Sequence, residues 1–501
     1  MLKLIKIKAM SVIMCLIVLA SVLPTSVFAQ TATGGISSEA EVHILNELRR
    51  ARIPNAAVAI IQDGETSYIL KDSTHYTLFQ IGSVSKSFTG FGVLLLEDMG
   101  LLSIYDPVSR YLPWFEVSYN GLPIPHGDIR VYHLLQNASG FTSDERLFPR
   151  AAVTESTDDF IARLEGIELA FYPSARHVYG NMNYIILGFL IEAVSGQSYD
   201  EFMTEQVLRP LGLYNTFISA ERAHETGWVI GGNRLRFLQA VPWNPPFHYT
   251  WVPSGRIYAN ITDLARWAGI HLGVVNVSEQ FERVIQRSHE NHGSVDFFAH
   301  SNYFYTAGWY VTYENDRIRH NGTSPGYSAS VRILPNDNMA VVVLGNLVNG
   351  AVPFGELISD IIIESEPFNS VQMDLFTIID IFYTISIAVF TIYIGFFIWF
   401  IARVIKRLNS GEIVNRKLTF KIRWLIVPLI FIADLVYSYA SPSMMGNTSH
   451  EFAVLHLPAS LMPATIALWI ALVCSLCAFF IKVFGLSANL ESHNPITNRR
   501  K

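Results

Sequence analysis

The apolar residues of this 501-residue chain are concentrated at its two ends. The first thirty positions and everything after about Leu375 are far greasier than the middle, so the middle must fold in water while the ends partition towards lipid. At the N-terminus, Lys3, Lys6 and Lys8 lead into an apolar run from Ala9 to Leu23, and Val27-Phe28-Ala29 offers a cut after Ala29. These are the three parts of a secretory signal over residues 1–29. Cys15 follows Met14, where lipid attachment needs a small residue, so no lipidation is expected. Three later runs, Ile379–Ile401, Ile422–Tyr439 and Leu461–Phe480, are long enough to cross about 30 Å of hydrocarbon. Seven Lys and Arg residues between Arg403 and Arg423 stand against the single acid Glu412, and Arg499, Arg500 and Lys501 close the chain. The positive-inside rule then puts that loop and the tail 486–501 in the cytoplasm. The expectation is a multi-pass protein of the cell membrane with an extracellular soluble unit over 37–363, a linker over 364–373 and a three-helix membrane domain over 374–485. Asp434 lies inside the second run, either paired with a neighbouring helix or close to the outer interface.

Several function classes are set aside by composition. A net charge of -6 with no basic stripe argues against a nucleic-acid partner. The soluble middle has no cysteine, so no disulfide supports it; Cys474 and Cys477 sit in a membrane-type run and read as lipid-facing or packing residues. His289, His292 and His300, with Glu290 and Asp296 nearby, lack metal-ligand spacing on a helical pattern, so a solvated loop without metal is expected.

Within the middle, an amphipathic helix is expected over Ser37–Arg52. Strands over Ala56–Ile61 and Thr66–Leu70 are split by Asp63-Gly64 as a hairpin. Helical periodicity returns at Asp158–Leu164 and Asn183–Val194. Strands follow at Ala307–Tyr313, Arg317–His320, Ser328–Leu334 and Met339–Gly345. Strands at both ends with helices between imply an α+β unit, one antiparallel sheet flanked by helices with an inserted helical region.

Just after the hairpin comes Gly82-Ser83-Val84-Ser85-Lys86. A helix starting there places Lys86 one turn beyond Ser83 on the same face, where an amine can take the serine proton. Further on are Tyr179-Gly180-Asn181 and His320-Asn321-Gly322-Thr323. A tyrosine near an ammonium can hold its phenolate form and shuttle a proton, and an asparagine two residues on can hold substrate amide and lysine together. Gly322 lets a strand's backbone approach, so that the N–H after it can join that of Ser83 against an oxyanion.

Ser-x-x-Lys, Tyr-x-Asn and His-x-Gly in this order resemble the serine beta-lactamase and penicillin-binding protein superfamily, in particular its class C-like, beta-lactamase-related serine hydrolases. Leu134–Gly140, Tyr184–Gly196, Pro210–Leu213 and Pro253–Arg256 extend the likeness over about Glu39–Asn349. The resemblance implies that Ser83 forms an acyl-enzyme with Lys86 and Tyr179 as the proton-handling pair. It implies that Asn181, His320, Asn321, Gly322 and Thr323 bind substrate, and that no cofactor or metal is needed. His320 stands where many relatives have lysine, which predicts weaker binding of a substrate carboxylate. Asn137 and Ser174 replace a frequent histidine and a usual glycine, which puts loop shape in question. The expected activity is hydrolysis of cell-wall D-amino-acid peptide or ester bonds through a penicillin-binding-protein-like acyl-enzyme. The alternatives are a carboxylesterase or beta-lactamase on the same scaffold, or a penicillin-sensing protein without turnover. The expected partners are a cell-wall or small acyl substrate and membrane lipid; oligomeric state is not indicated.

Overall fold

Helix α1 (Ser38–Arg50) leads into strands β1 (Ala56–Gln62) and β2 (Glu65–Lys71), joined by the two-residue turn Asp63-Gly64. Both turn residues have positive φ (52° and 83°), the mirror-image turn that matches strand twist and that Asp-Gly adopts cheaply. The register runs from Gln62 opposite Glu65 to Ala56 opposite Lys71. This is a computed structural model, and it describes residues 29–30, 38–142, 156–246, 248–293, 302–348, 350–355, 357–358, 375–409 and 458–484.

After β2 the chain forms helix α2 (Ser85–Asp98) and, past several short elements, helix α3 (Asn181–Ser195). A hairpin of β3 (Asn233–Arg236) and β4 (Gln239–Pro242) follows, then the one-turn helix α4 (Val252–Gly255), α5 (Ile261–Leu272) and α6 (Glu279–Ser288). Strands β5 (Tyr303–Thr306), β6 (Trp309–Thr312), β7 (Ile318–Ser324), β8 (Tyr327–Leu334) and β9 (Met339–Gly345) complete the soluble unit. The sheet has eight strands in the order Ala29–Gln30, β2, β1, β9, β8, β7, β6, β5, every neighbour antiparallel. The chain's two sheet-forming ends thus meet where β1 pairs with β9, as the α+β reading expects.

The central strands β1 and β9 are apolar throughout because both their faces are covered. Val58, Ile60, Val341 and Val343 pack on Ile44 and Leu48 of α1. The alternate residues Ala59, Ile61, Val342 and Leu344 join the larger core with Phe88, Phe91 and Trp267. Trp267 of α5 stacks on Phe88 of α2 at 4.4 Å between ring centres, which fixes the helix that follows Ser83.

Three expectations change. Helix α6 forms in a stretch where no element was foreseen: Ser278 caps it, accepting from the Phe281 N–H, and Phe281, Val284 and Ile285 bury one face. His289 and His292 are not in a solvated loop. His289 Nε2 meets Nδ1 of His271 at 2.9 Å, and His292 is buried. Packing of α6 against α2, where Phe281 meets Phe91 and Arg283 pairs with Asp98, draws in the segment that follows, and His300 and Asp296 lie outside the described residues. Among the described residues no group of three or more side chains could hold a metal.

The membrane region is the third change. Helix α7 (Leu375–Asn409) contains the one stretch among the described residues that is long and apolar enough to cross a membrane, Thr377–Arg403. Helix α8 (Leu461–Phe484) contributes a shorter apolar stretch, Leu461–Ser475, and the run 422–439 with Asp434 lies outside the described residues. One candidate span therefore stands where three were expected. Cys474 and Cys477 on α8 are free thiols. The two helices pack through Tyr383, Phe390, Leu461, Leu468 and Ala471. At their head, buried Asp380 accepts the N–H groups of Phe237 (3.3 Å) and Leu238 (2.5 Å) at the tip of the β3–β4 hairpin, and the Ser460 hydroxyl. Phe237 and Leu238 both have positive φ without being glycine, a strained tip that the carboxylate holds.

Candidate active site

Ser83 lies in the 3₁₀ turn Gly82–Val84 at the head of α2. Gly82 has φ of +53°, and a Cβ on it would lie 2.5 Å from the Thr323 nitrogen. A Cβ on Gly322 would lie 1.9 Å from the Ile81 carbonyl oxygen and 3.2 Å from the Ser83 nitrogen. Only glycine at both positions lets β7 press its backbone against the turn that carries the serine.

Lys86 is completely buried. Its Nζ lies 3.0 Å from Ser83 Oγ, 2.7 Å from Asn181 Oδ1 and 2.6 Å from the Ser254 carbonyl oxygen. The last two partners accept, so each takes an N–H. The third direction, towards Ser83, carries an N–H in the ammonium form and the lone pair in the amine form. The geometry therefore suits proton exchange between Ser83 and Lys86 without rearranging the other two bonds.

The Tyr179 ring centre lies 4.9 Å from Lys86 Nζ. Its hydroxyl is buried and makes no hydrogen bond of good geometry, though Ser83 is near enough to draw its pKa down somewhat. Burial dominates and, with Tyr310, pushes that pKa well above 10. This direction disfavours the phenolate form, because a buried anion costs more than this surrounding returns. Tyr305 and Tyr310 pack against it. The loop bearing Tyr179 is pinned by Asn137, whose Oδ1 accepts the Gly180 N–H (3.3 Å) and the Asn183 amide (2.9 Å). Asn137 and Ser174, the two departures from family pattern, both sit at positive φ (53° and 64°). The Ser174 hydroxyl is tied to His133 Nε2 at 2.7 Å, so the loop keeps its shape by side-chain bonds where glycine would give it freely.

His320 is buried against Tyr305, Tyr310 and Tyr179. Its Nδ1 donates to the Asn321 carbonyl at 2.6 Å, which leaves Nε2 to accept from the Tyr305 hydroxyl at 3.2 Å. Burial, with Lys86 adding repulsion, lowers its pKa to about 3, so it is neutral wherever the protein is folded and near neutral pH. Strand alternation puts His320 and Gly322 on the site face and turns the Asn321 side chain to the other, where its Oδ1 accepts from Ser330 Oγ at 2.9 Å. The structure thus brings Ser83, Lys86, Tyr179, Asn181, His320 and the Gly322-Thr323 backbone together, but not the Asn321 side chain. The period-two pattern of β7 carried that information. The Ser254 carbonyl and the wall formed by Tyr305 and Tyr310 were not anticipated, and a backbone acceptor leaves no side-chain signature to find.

The family model described as Beta-lactamase matches residues 40–361. This chain belongs to the beta-lactamase family, within the serine beta-lactamase and penicillin-binding protein superfamily. This beta-lactamase-family protein is 27% identical over 463 residues to Protein flp of Staphylococcus aureus (strain MRSA252), covering 88% of this chain and 89% of that one. It is 32% identical to Penicillin-binding protein 4* of Bacillus subtilis (strain 168) over 157 residues, 29% of this chain and 33% of that protein. Its fold is similar to the octameric penicillin-binding protein homologue from Pyrococcus abyssi (TM-score 0.56, 23% identity, 66% of this chain and 78% of that). It is also similar to a class C beta-lactamase (TM-score 0.53, 18% identity, 63% of this chain and 94% of that).

Proposed function

We propose that this protein is a membrane-tethered, extracytoplasmic serine hydrolase that works through an acyl-enzyme on Ser83. The observation that carries the reading is the three-way setting of Lys86 Nζ between Ser83 Oγ, Asn181 Oδ1 and the Ser254 carbonyl. In the amine form Lys86 takes the Ser83 proton as Oγ bonds to the substrate carbonyl carbon, and the oxyanion that forms is met by the N–H groups of Ser83 and Thr323. As the tetrahedral intermediate collapses, the bond to the leaving group breaks. The Tyr179 phenol then gives its proton to the departing amine or alcohol and is reprotonated from Lys86. Water attacks the ester by the reverse proton path, releasing the acid and restoring Ser83. Asn181 holds Lys86 and the substrate amide.

The substrates we infer are D-amino-acid peptide or ester bonds of the cell wall. Neutral His320 favours a second reading, a carboxylesterase for acyl groups without a carboxylate at that place. The candidate span Thr377–Arg403, the N-terminal signal pattern and the basic residues from Arg403 onwards support anchoring in a membrane with the catalytic unit outside. The test compares wild type with Ser83→Ala for turnover of a chromogenic ester and covalent labelling by a fluorescent penicillin. Wild type turns over the ester and the variant loses it at least about 10³-fold; undiminished hydrolysis by the variant ends the reading. Labelling without turnover assigns a penicillin sensor instead.

A further inference from the structure

A cavity of about 570 Å³ is walled by α3, α4, the segment 198–200, the stretch 218–224 and the loop 244–246. The catalytic groups themselves do not line it, but close chain neighbours of three of them do. Gln80 lies three residues before Ser83, Pro253 precedes the Ser254 that holds Lys86, and Pro325 lies two residues after Thr323. Gln80 also ties these stretches together: its Oε1 accepts from Ser324 Oγ at 3.0 Å and from Arg256 at 3.1 Å, and its amide donates to the Tyr258 hydroxyl at 2.6 Å. The lining is largely apolar and aromatic, with Ile185, Phe189, Ile218, Tyr249 and Tyr327.

The fixed charges in that lining are of one sign, and the one imidazole among them is that of exposed His224. Glu192, Asp200 and Glu221 line the cavity, and among the described residues no lysine or arginine does. Asp200 is answered by Arg222 at 3.4 Å. Glu192 accepts only the Tyr199 N–H at 3.0 Å, and Glu221 the Ser219 hydroxyl at 3.0 Å, so neither carboxylate meets a cation among the described residues. Glu192 is half-buried and Glu221 is exposed at the rim; a half-buried carboxylate among aromatic rings and proline is short of a counter-charge, and an ammonium group flanked by such rings is stabilised by both.

We propose that this cavity is a specificity pocket that takes the acyl portion of the substrate when that portion carries an apolar stem ending in a primary amine. The inference rests on the hydrolase reading above and narrows its substrate class. The closing experiment uses two chromogenic esters of equal length, one with an aminoalkyl and one with a plain alkyl acyl chain, on the full-length protein in detergent. Wild type prefers the aminoalkyl ester in kcat/KM, and Glu192→Gln combined with Glu221→Gln lowers that preference ratio about five-fold or more. Equal kcat/KM for the two esters in wild type, or an unchanged ratio in the double variant, overturns the pocket assignment and leaves the hydrolase reading standing. If neither ester is turned over, the hydrolase reading falls. The pocket is then decided by calorimetry of a long-chain primary amine against the matching alcohol on the Ser83→Ala protein. Tighter binding of the amine, lost in the double glutamine variant, supports it, and equal binding overturns it.

Discussion

Acid should unfold this protein through its histidines. His133, His177 and His292 have pKa values lowered by burial to about 4, and His320 to about 3, from an ordinary 6.5. All four are buried to within a few per cent of complete. Because the folded values lie below the unfolded one, the unfolded chain binds more protons once pH drops under about 6.5, and stability is lost on the way down. For a group at about 4 folded and 6.5 unfolded, moving from pH 7.5 to pH 5 costs about 2 kcal/mol. Four such groups together cost several kcal/mol, on the scale of a whole domain's stability of about 5–15 kcal/mol. Glu192 and Asp263, raised by burial, act in the opposite sense as pH falls from their raised folded values towards the ordinary carboxylate range. The assay is urea unfolding followed by the fluorescence of buried Trp267 and Trp309 at pH 7.5, 6 and 5. The midpoint is expected to fall steadily below pH 6.5. His292→Phe is expected to flatten the slope by about 1 kcal/mol per pH unit. Stability that stays level from pH 7.5 to 5, or an unchanged slope in His292→Phe, would refute the reasoning.

Three further outcomes follow from the site. Lys86→Met should cut acylation of Ser83 by about 10²–10⁴-fold and lower stability by about 1–3 kcal/mol, since Asn181 Oδ1 and the Ser254 carbonyl lose their donor; stopped-flow labelling and thermal melting measure the two effects. Gly322→Ala should abolish ester turnover, because the new Cβ meets the Ile81 carbonyl and drives β7 away from Ser83; turnover within about two-fold of wild type would contradict the contact. His320→Lys should speed acylation by anionic penicillins relative to neutral esters, with pH profiles read between about 5 and 9; matching profiles for wild type and variant would dismiss any part for charge at that position.

Much of this was legible where the determining contacts are local. The Asp63-Gly64 hairpin, the one-turn spacing of Ser83 and Lys86 and the apolar face of α3 all follow from neighbours along the chain. So did the central strands, since β1 and β9 need no partner to reveal that both faces are apolar. What escaped was decided at a distance. The ionisation of Tyr179 and His320 depends first on burial, to which the packed rings of Tyr305 and Tyr310 contribute from strands far along the chain. The Ser254 carbonyl works through backbone that any residue could supply. His289 and His292 look polar in sequence, yet His292 is buried and His289 is half-buried against His271.

The Asp380 clasp has a bearing on geometry at the lipid surface. A head swinging on a loose tether samples every angle, and its mouth faces the bilayer as often as the space above it. Here the hairpin tip is gripped at the root of the helices by one carboxylate, while that hairpin's base reaches the neighbourhood of the cavity through Gly232 and Asn244 (2.7 Å). Under the membrane anchoring proposed above, this clasp would hold the hairpin, and the cavity it adjoins, at a set height and tilt over the lipid.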